Sequence, residues 1–191
     1  LSIDTSVSNV NLRAWQHYHS VAARRIISLN VENLSDDLKL RSATNADAAE
    51  VRALVFGILT DFGLEADVDG TDRDLFDIEA NYLRRGGVFE VIENTQGSIV
   101  GTIGLYPLDD ETIELRKMYF ASEVRGSGLG QILLQKMIEK AKNLGYLRVY
   151  LETASVLKQA VHIYEKAGFM PIAEKHTPRC DQAYILELAE K

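Results

Sequence analysis

Six consecutive residues, Arg125-Gly126-Ser127-Gly128-Leu129-Gly130, carry the first chemical signal in this 191-residue sequence. Three glycines in close succession let a backbone approach a ligand and allow the positive φ angles of a tight turn. The alternating segment before them, Thr112 to Phe120, reads as a strand. The apolar-periodic segment that follows, Leu129 to Leu144, reads as a helix. A helix start offers N–H groups without internal partners and the positive end of the helix dipole. Such a place binds phosphate or another anion. A phosphate-bearing ligand is therefore expected across this turn.

Two other phosphate-binding patterns fit poorly. A P-loop needs Lys and then Ser or Thr after its last glycine, and here Gln131 and Ile132 follow. A dinucleotide or S-adenosylmethionine site would place its glycine turn after the first strand, with an acid such as Glu152 closing the next. Much of the chain precedes this turn, however, and too little follows to complete such a sheet. The stretch Ala121 to Val124 also separates the strand from the glycines.

The elements that must position the turn alternate from Leu38 onward. Leu38 to Ala43 reads as a strand, and Thr44 with Asp47 forms a capping-box pattern. The helix it opens repeats Val51, Leu54, Val55, Ile58, Leu59 and Phe62 at helical spacing. After the acidic loop Glu65 to Asp72, one helix is expected over Arg73 to Arg84, stopped by Gly86-Gly87. Val88 to Ile92 and Ile99 to Tyr106 read as strands joined around Gln96-Gly97. Beyond the long helix, Gly145 is a stop signal. Leu147 to Leu151 is a strand, Val156 to Ala167 a helix, and Met170 to Glu174 and Ala183 to Leu188 are the last strands. The order β-α-α-β-β-β-α-β-α-β-β describes one mixed α/β domain.

Composition narrows the function classes. A formal net charge of −7 argues against a nucleic-acid surface, which clusters Lys and Arg. It suits a cationic small substrate better. No apolar run approaches the roughly 18 residues of a membrane span. Cys180 is the sole cysteine, so no intrachain disulfide forms and a cytoplasmic location is expected. Residues 1–36 read as an extension. Between Thr5 and Val31 there is no acid, while Leu12, Trp15, Ala22 and Ile26 fall near one helical face. That composition is compatible with a transit peptide, but a helical arm packing on the domain or on a second copy is the simpler expectation. His17 and His19 lack an evident third ligand for a metal.

From about Leu38 to Leu188 the chain resembles the GNAT N-acetyltransferase superfamily. The family's pattern Arg/Gln-x-x-Gly-x-Gly/Ala matches Arg125, Gly128 and Gly130. Its preceding strand matches Glu114 to Phe120, and its Tyr-Glu-Lys-x-Gly-Phe signature matches Tyr164, Glu165, Lys166, Gly168 and Phe169. Leu157 departs from the pattern, standing where many relatives carry an Asn that contacts the cofactor. The resemblance implies a mixed central sheet flanked by helices over residues 37–191. It implies an enzyme that takes an acetyl group from acetyl-CoA, and a homodimer as a family-level expectation. The cofactor diphosphate would be held by backbone amides of Arg125, Gly126, Ser127, Gly128, Leu129 and Gly130, with Gln131 as a further donor. The pantetheine arm would pair along Met118, Tyr119 and Phe120, where an amide could also stabilise the developing oxyanion.

The same resemblance sets the candidate chemistry. Glu114 is the candidate base for the acceptor amine, although pairing with Arg116 alone would also explain it. Tyr164 is the candidate acid for the departing CoA thiolate; packing in an amphipathic helix is its plainer explanation. Arg116, Arg179 and Asp181 are the candidate acceptor contacts; Arg179 and Asp181 lie in a region that can face the acceptor, where Arg179 suits a carboxylate and Asp181 an ammonium, together an amino acid or similar zwitterion. A structural Arg179–Asp181 pair is the commoner arrangement. The acids Glu65, Asp67, Asp69, Asp72 and Asp74 read as a solvated loop with a helix cap, poorly matched to calcium because the position for the bidentate Glu is Phe76; in the resembled fold this segment borders the acceptor site, where its alternative role is to attract a cationic amine. Cys180 has no activating base in view, and His162 and His176 read as surface residues. The expected activity is direct acetyl transfer to a primary amine of a small molecule. The rival is a non-catalytic acyl-CoA-binding or regulatory module on the same fold.

Overall fold

The structure, a computed structural model, describes residues 32–188. The helical arm expected before them, with His17 and His19, lies outside the described residues. The expected boundary at residue 37 is moved, because β1 (Glu32–Ser35) already belongs to the sheet, antiparallel to β2 (Leu38–Ser42).

The Thr44–Asp47 capping box forms as expected, with the Thr44 amide donating to the Asp47 carboxylate at 2.8 Å. It opens a short 3₁₀ turn and then α1 (Ala48–Asp61), whose Val51, Val55, Ile58 and Leu59 are buried. The single helix expected over Arg73 to Arg84 is instead three short pieces. These are a 3₁₀ turn at Arg73–Phe76, α2 (Ile78–Asn81) and a second 3₁₀ turn at Leu83–Arg85. The break falls at Asp77, which leaves helical conformation (φ −143°) and accepts from the Ala80 amide at 2.9 Å. Aspartate competes with a continuing helix by capping a new one.

Four antiparallel strands follow the order β2-β3-β4-β5, formed with β3 (Val88–Asn94), β4 (Ile99–Pro107) and β5 (Thr112–Phe120). The crossover helix α3 (Leu129–Leu144) leads to β6 (Arg148–Thr153), parallel to β5. Then α4 (Lys158–Lys166), β7 (Met170–Ile172) and β8 (Gln182–Glu187) complete an eight-stranded sheet, ordered β1-β2-β3-β4-β5-β6-β8-β7. Successive strand residues face opposite sides. Phe89 and Val91 therefore pack with α1, while Ile92 belongs to the core under α3. On α3, Leu129, Leu133, Leu134, Met137, Ile138 and Ala141 form the buried stripe. Each large apolar side chain there contributes roughly 1.5–3 kcal/mol by burial. Among the described residues, no helix is long and apolar enough to cross a membrane.

One irregularity shapes the site. The β4–β5 register shifts between Thr102 and Gly104, and Lys117 takes φ 55°. A left-handed conformation costs a side-chain-bearing residue roughly 1–2 kcal/mol. The bulge is held by the Thr102 hydroxyl, which donates to the Lys117 carbonyl at 2.6 Å. Past it the sheet forks. Pairing of β5 with β6 ends at Glu114 and Tyr150, while β6 stays with β8 as far as Thr153 and Gln182. The last part of β5 thus keeps its partner on the β4 side only.

Candidate active site

The glycine turn sits where β5 ends, beside this fork. Gly126 and Gly128 both have left-handed backbones, with φ 78° and 83°. Gly128 caps α3 without a side-chain hydrogen bond. The Arg125 amide is engaged with the Ser122 carbonyl at 3.3 Å, and the Gln131 amide with the Gly128 carbonyl at 3.1 Å. Among the described residues no acceptor meets the amides of Gly126, Ser127, Gly128, Leu129 and Gly130. These five donors are the ones available to a diphosphate. The Arg125 side chain turns back instead, donating to the Phe120 carbonyl at 2.7 Å and lying 5.3 Å over the Phe62 ring. Gly130 packs closely, since a Cβ there would come within 3.2 Å of the Ile163 tip and 3.3 Å of the Met118 methyl, which would have to shift slightly.

In the fork lies a groove that gathers Glu114, Arg116, Met118, Tyr119, Tyr164 and Arg179. Tyr164 comes from α4, and its hydroxyl is 3.9 Å from the Met118 sulfur. Burial pushes its phenol well above the ordinary range, so it stays protonated at neutral pH and can donate. Glu114 is 5% exposed, with Arg116 paired to it at 2.6 Å. Burial raises its carboxyl, and Arg116 only partly opposes that. Tyr119 is pushed up to about 12 by burial. Leu157, where many members of the resembled family carry Asn, lines the groove with an apolar side chain and precedes α4.

Other predicted positions stand apart. Asp181 is not in the groove; it accepts from the Ser155 amide at 2.7 Å and hydroxyl at 2.6 Å. Arg179 does not pair with Asp181. Its guanidinium takes both oxygens of Asp72, at 2.6 and 2.9 Å.

The acidic loop is the main correction to the sequence reading, because two of its acids are not solvated. Asp72 is fully buried and also accepts from Lys117 at 2.5 Å. Burial raises its carboxyl, but Arg179 and Lys117 outweigh that and hold it below the ordinary value. Asp74 accepts from the Tyr82 hydroxyl at 2.5 Å and lies 3.3 Å from Lys117 and 3.6 Å from Arg116. Lys117, on a strand position expected to be ordinary, was missed. Glu152, singled out only as the acid of the rejected dinucleotide pattern, lies instead in the groove wall, its side chain 3% exposed. No spacing rule marks either residue for this groove, since both placements depend on distant loops folding over the sheet. His176 is exposed as expected but has a partner, Glu152, 3.2 Å from Nδ1. The Cys180 thiol lines the groove and is raised to about 11 by burial, which leaves it protonated.

A second recess opens beyond Thr71 and Arg116, lined by Arg73, Phe76, Asn81 and Tyr106. Arg116 stacks on the Tyr106 ring at 4.1 Å. Among the described residues no group of His, Cys, Asp and Glu is arranged to hold a metal.

Comparison with known proteins agrees with this architecture. Residues 55–169 match the model of the acetyltransferase (GNAT) family. The uncharacterized N-acetyltransferase YjgM of Escherichia coli (strain K12) is 34% identical over 135 residues, covering 68% of this chain and 80% of that protein. The N-acetylaspartate synthetase of Danio rerio is 36% identical over 102 residues, covering 53% of this chain and 36% of that protein. A GNAT-family acetyltransferase from Staphylococcus aureus Mu50 superposes with a TM-score of 0.75 at 28% identity, covering 80% of this chain and 99% of its own. The forked sheet, the amide-rich glycine turn and these matches agree: the chain belongs to the acetyltransferase (GNAT) family, whose enzymes take their acyl group from acetyl-CoA.

Proposed function

We propose that this acetyltransferase moves the acetyl group of acetyl-CoA directly onto a primary amine of a small molecule. The observation that carries the reading is the placement of Glu114 and Tyr164, from β5 and α4, on one groove beside the glycine turn. The turn's free amides would hold the diphosphate, and the unpaired edge of β5 from Met118 to Phe120 would take the pantetheine arm. An amide on that edge would stabilise charge on the carbonyl oxygen during attack.

Glu114 receives the proton that the amine must lose, directly or through a water. The N–C bond forms as the C–S bond breaks, and Tyr164 supplies a proton to the departing thiolate. No covalent enzyme intermediate is needed, which agrees with a Cys180 kept as thiol by its surroundings.

The test is amine-dependent release of CoA across a broad panel, with wild type, Glu114→Gln and Tyr164→Phe compared. Tight acetyl-CoA binding without acceptor-dependent release would favour the binding module instead. A second reading, an α-amino acid as the acceptor, is favoured by the likeness to the zebrafish enzyme, whose name specifies N-acetylaspartate.

A further inference from the structure

We propose that Glu152 is the anionic anchor for the acceptor's ammonium group, and that the acceptor is a cationic primary amine with no carboxylate beside its nitrogen. The inference rests on the N-acetyltransferase reading and chooses between its two acceptor classes.

Charge is unevenly matched around the groove. Each of its three cations already has an acidic partner, and Arg116 Nε, which lacks an acceptor, is itself buried. Arg116 pairs with Glu114 at 2.6 Å and approaches Asp74 at 3.6 Å. Lys117 lies 2.5 Å from Asp72 and 3.3 Å from Asp74. Arg179 grips both oxygens of Asp72. These cations match three acids: Asp72, Asp74 and Glu114. Glu152 is a fourth acid, and no Lys or Arg pairs with it among the described residues. Its carboxylate is instead held by neutral donors, namely the Tyr150 hydroxyl and the amides of His176 at 2.6 Å and Thr177 at 2.7 Å. The exposed His176 imidazole also meets it, with Nδ1 at 3.2 Å. Among the described residues Glu152 is thus the acid of the groove wall left without a Lys or Arg partner.

The two free-standing roles then separate. Burial raises the Glu114 carboxyl, which suits a proton acceptor. Burial also works to raise Glu152, but its hydrogen bonds from Tyr150, Thr177 and His176 outweigh that and keep it ionised. Two acids close enough to sense each other, with environments pushing them in opposite directions, divide into a base and a permanent charge. An ammonium group entering beside Glu152 supplies the missing positive charge, and Glu114 is at hand to take its proton.

An α-amino acid would bring a carboxylate one carbon from the reacting nitrogen. That carboxylate would be desolvated in a wall whose cations are all engaged, which is costly without a free partner. Arg73, which makes no ion pair among the described residues, lines the outer recess and not this groove.

The experiment measures CoA release for matched pairs that differ only by the carboxylate: agmatine with arginine, isobutylamine with valine, and phenethylamine with phenylalanine. Wild type is expected to favour the decarboxylated member of each pair by about tenfold or more in kcat/KM. Glu152→Gln is expected to raise the amine KM about tenfold, with the calorimetric Kd for acetyl-CoA unchanged. Amino acids used as well as their decarboxylated partners would overturn the anchor and leave the N-acetyltransferase reading standing. So would an unchanged amine KM in Glu152→Gln. Acetyl-CoA binding with no turnover of any pair member would overturn both. The matched-pair comparison needs only wild type, so it decides the proposal even where the variant does not fold.

Discussion

Lys117 Nζ lies 2.5 Å from Asp72 Oδ1, joining the bulge of β5 to the loop before α2 in a pair that is all but fully buried. Arg179, between β7 and β8, closes on the same carboxylate. One acid therefore ties together three segments around the groove. Removing one partner of a buried pair leaves an uncompensated charge and costs about 3–5 kcal/mol. Lys117→Met should lower unfolding free energy by that order in urea titration. Replacing both Lys117 and Asp72 in one variant would leave Arg179 uncompensated, so it should not restore wild-type stability. A loss below about 1 kcal/mol in Lys117→Met would show that Arg179 alone satisfies Asp72.

The Asp72 carboxyl is also a pH sensor for stability. Burial works to raise its folded value, but Arg179 and Lys117 together hold it below the ordinary 3.8. A depressed acid contributes stability that is fully present above the unfolded value and lost as pH falls through the folded one. Asp47, which burial would raise but Arg41 and the Thr44 amide hold low, has the same sign. The urea midpoint should stay level on this account above the ordinary carboxyl range and drop steeply below it. A midpoint independent of pH down to about 3 would contradict the assigned pairs.

Tyr164→Phe removes the groove's buried phenol while keeping its ring against Phe169, a contact with centroids 5.9 Å apart. A general acid contributes typically 10²–10⁴-fold. We expect kcat to fall by about 10²-fold with the acetyl-CoA Kd unchanged, in steady-state kinetics and calorimetry. An unaltered kcat would reduce Tyr164 to a packing residue.

Glu114 sets the acid side of the activity profile. The base must be ionised to accept the amine's proton, and burial raises its carboxyl above the ordinary 4.5. The acid limb of kcat/KM should therefore lie above the pH of a typical glutamate. In Glu114→Gln that limb should vanish while overall rate drops by about 10²-fold. A limb of the same midpoint in the variant would move the role to another group.

The sequence reached the parts of this molecule that local rules govern. The span of β5 and of α3 and the stop at Gly145 were legible because apolar period and glycine signals agree over long segments. The glycine turn was legible for the same reason, down to its setting between a strand and a helix. What escaped has a common cause. The Lys117 bulge, the burial of Asp72 and Asp74, and the placement of Glu152 in the groove all arise from tertiary pairing across distant segments. Asp72 and Lys117, for instance, are 45 positions apart. An acid-rich loop reads as solvated until its cations are known. The broken helix after Arg73 had a local signal, the capping aspartate Asp77, that periodicity outweighed.

The glycine turn gives the sharpest test of donor binding. Gly128 holds φ 83°, and no atom lies within 4 Å of where a Cβ would stand, so an added methyl meets strain and no clash. Alanine in that conformation costs roughly 1–2 kcal/mol, which the turn can relieve by rotating its amides away from the diphosphate. Gly128→Ala should therefore weaken acetyl-CoA binding by about tenfold in calorimetry, equivalent to about 1.4 kcal/mol. Gly57 supplies the contrast. It lies inside α1, also with nothing within 4 Å, and its φ is not positive. Gly57→Ala should stabilise the fold by up to about 1 kcal/mol and leave the Kd untouched. Equal affinity in Gly128→Ala and wild type would mean that the turn's conformation does not present the amides that hold the donor.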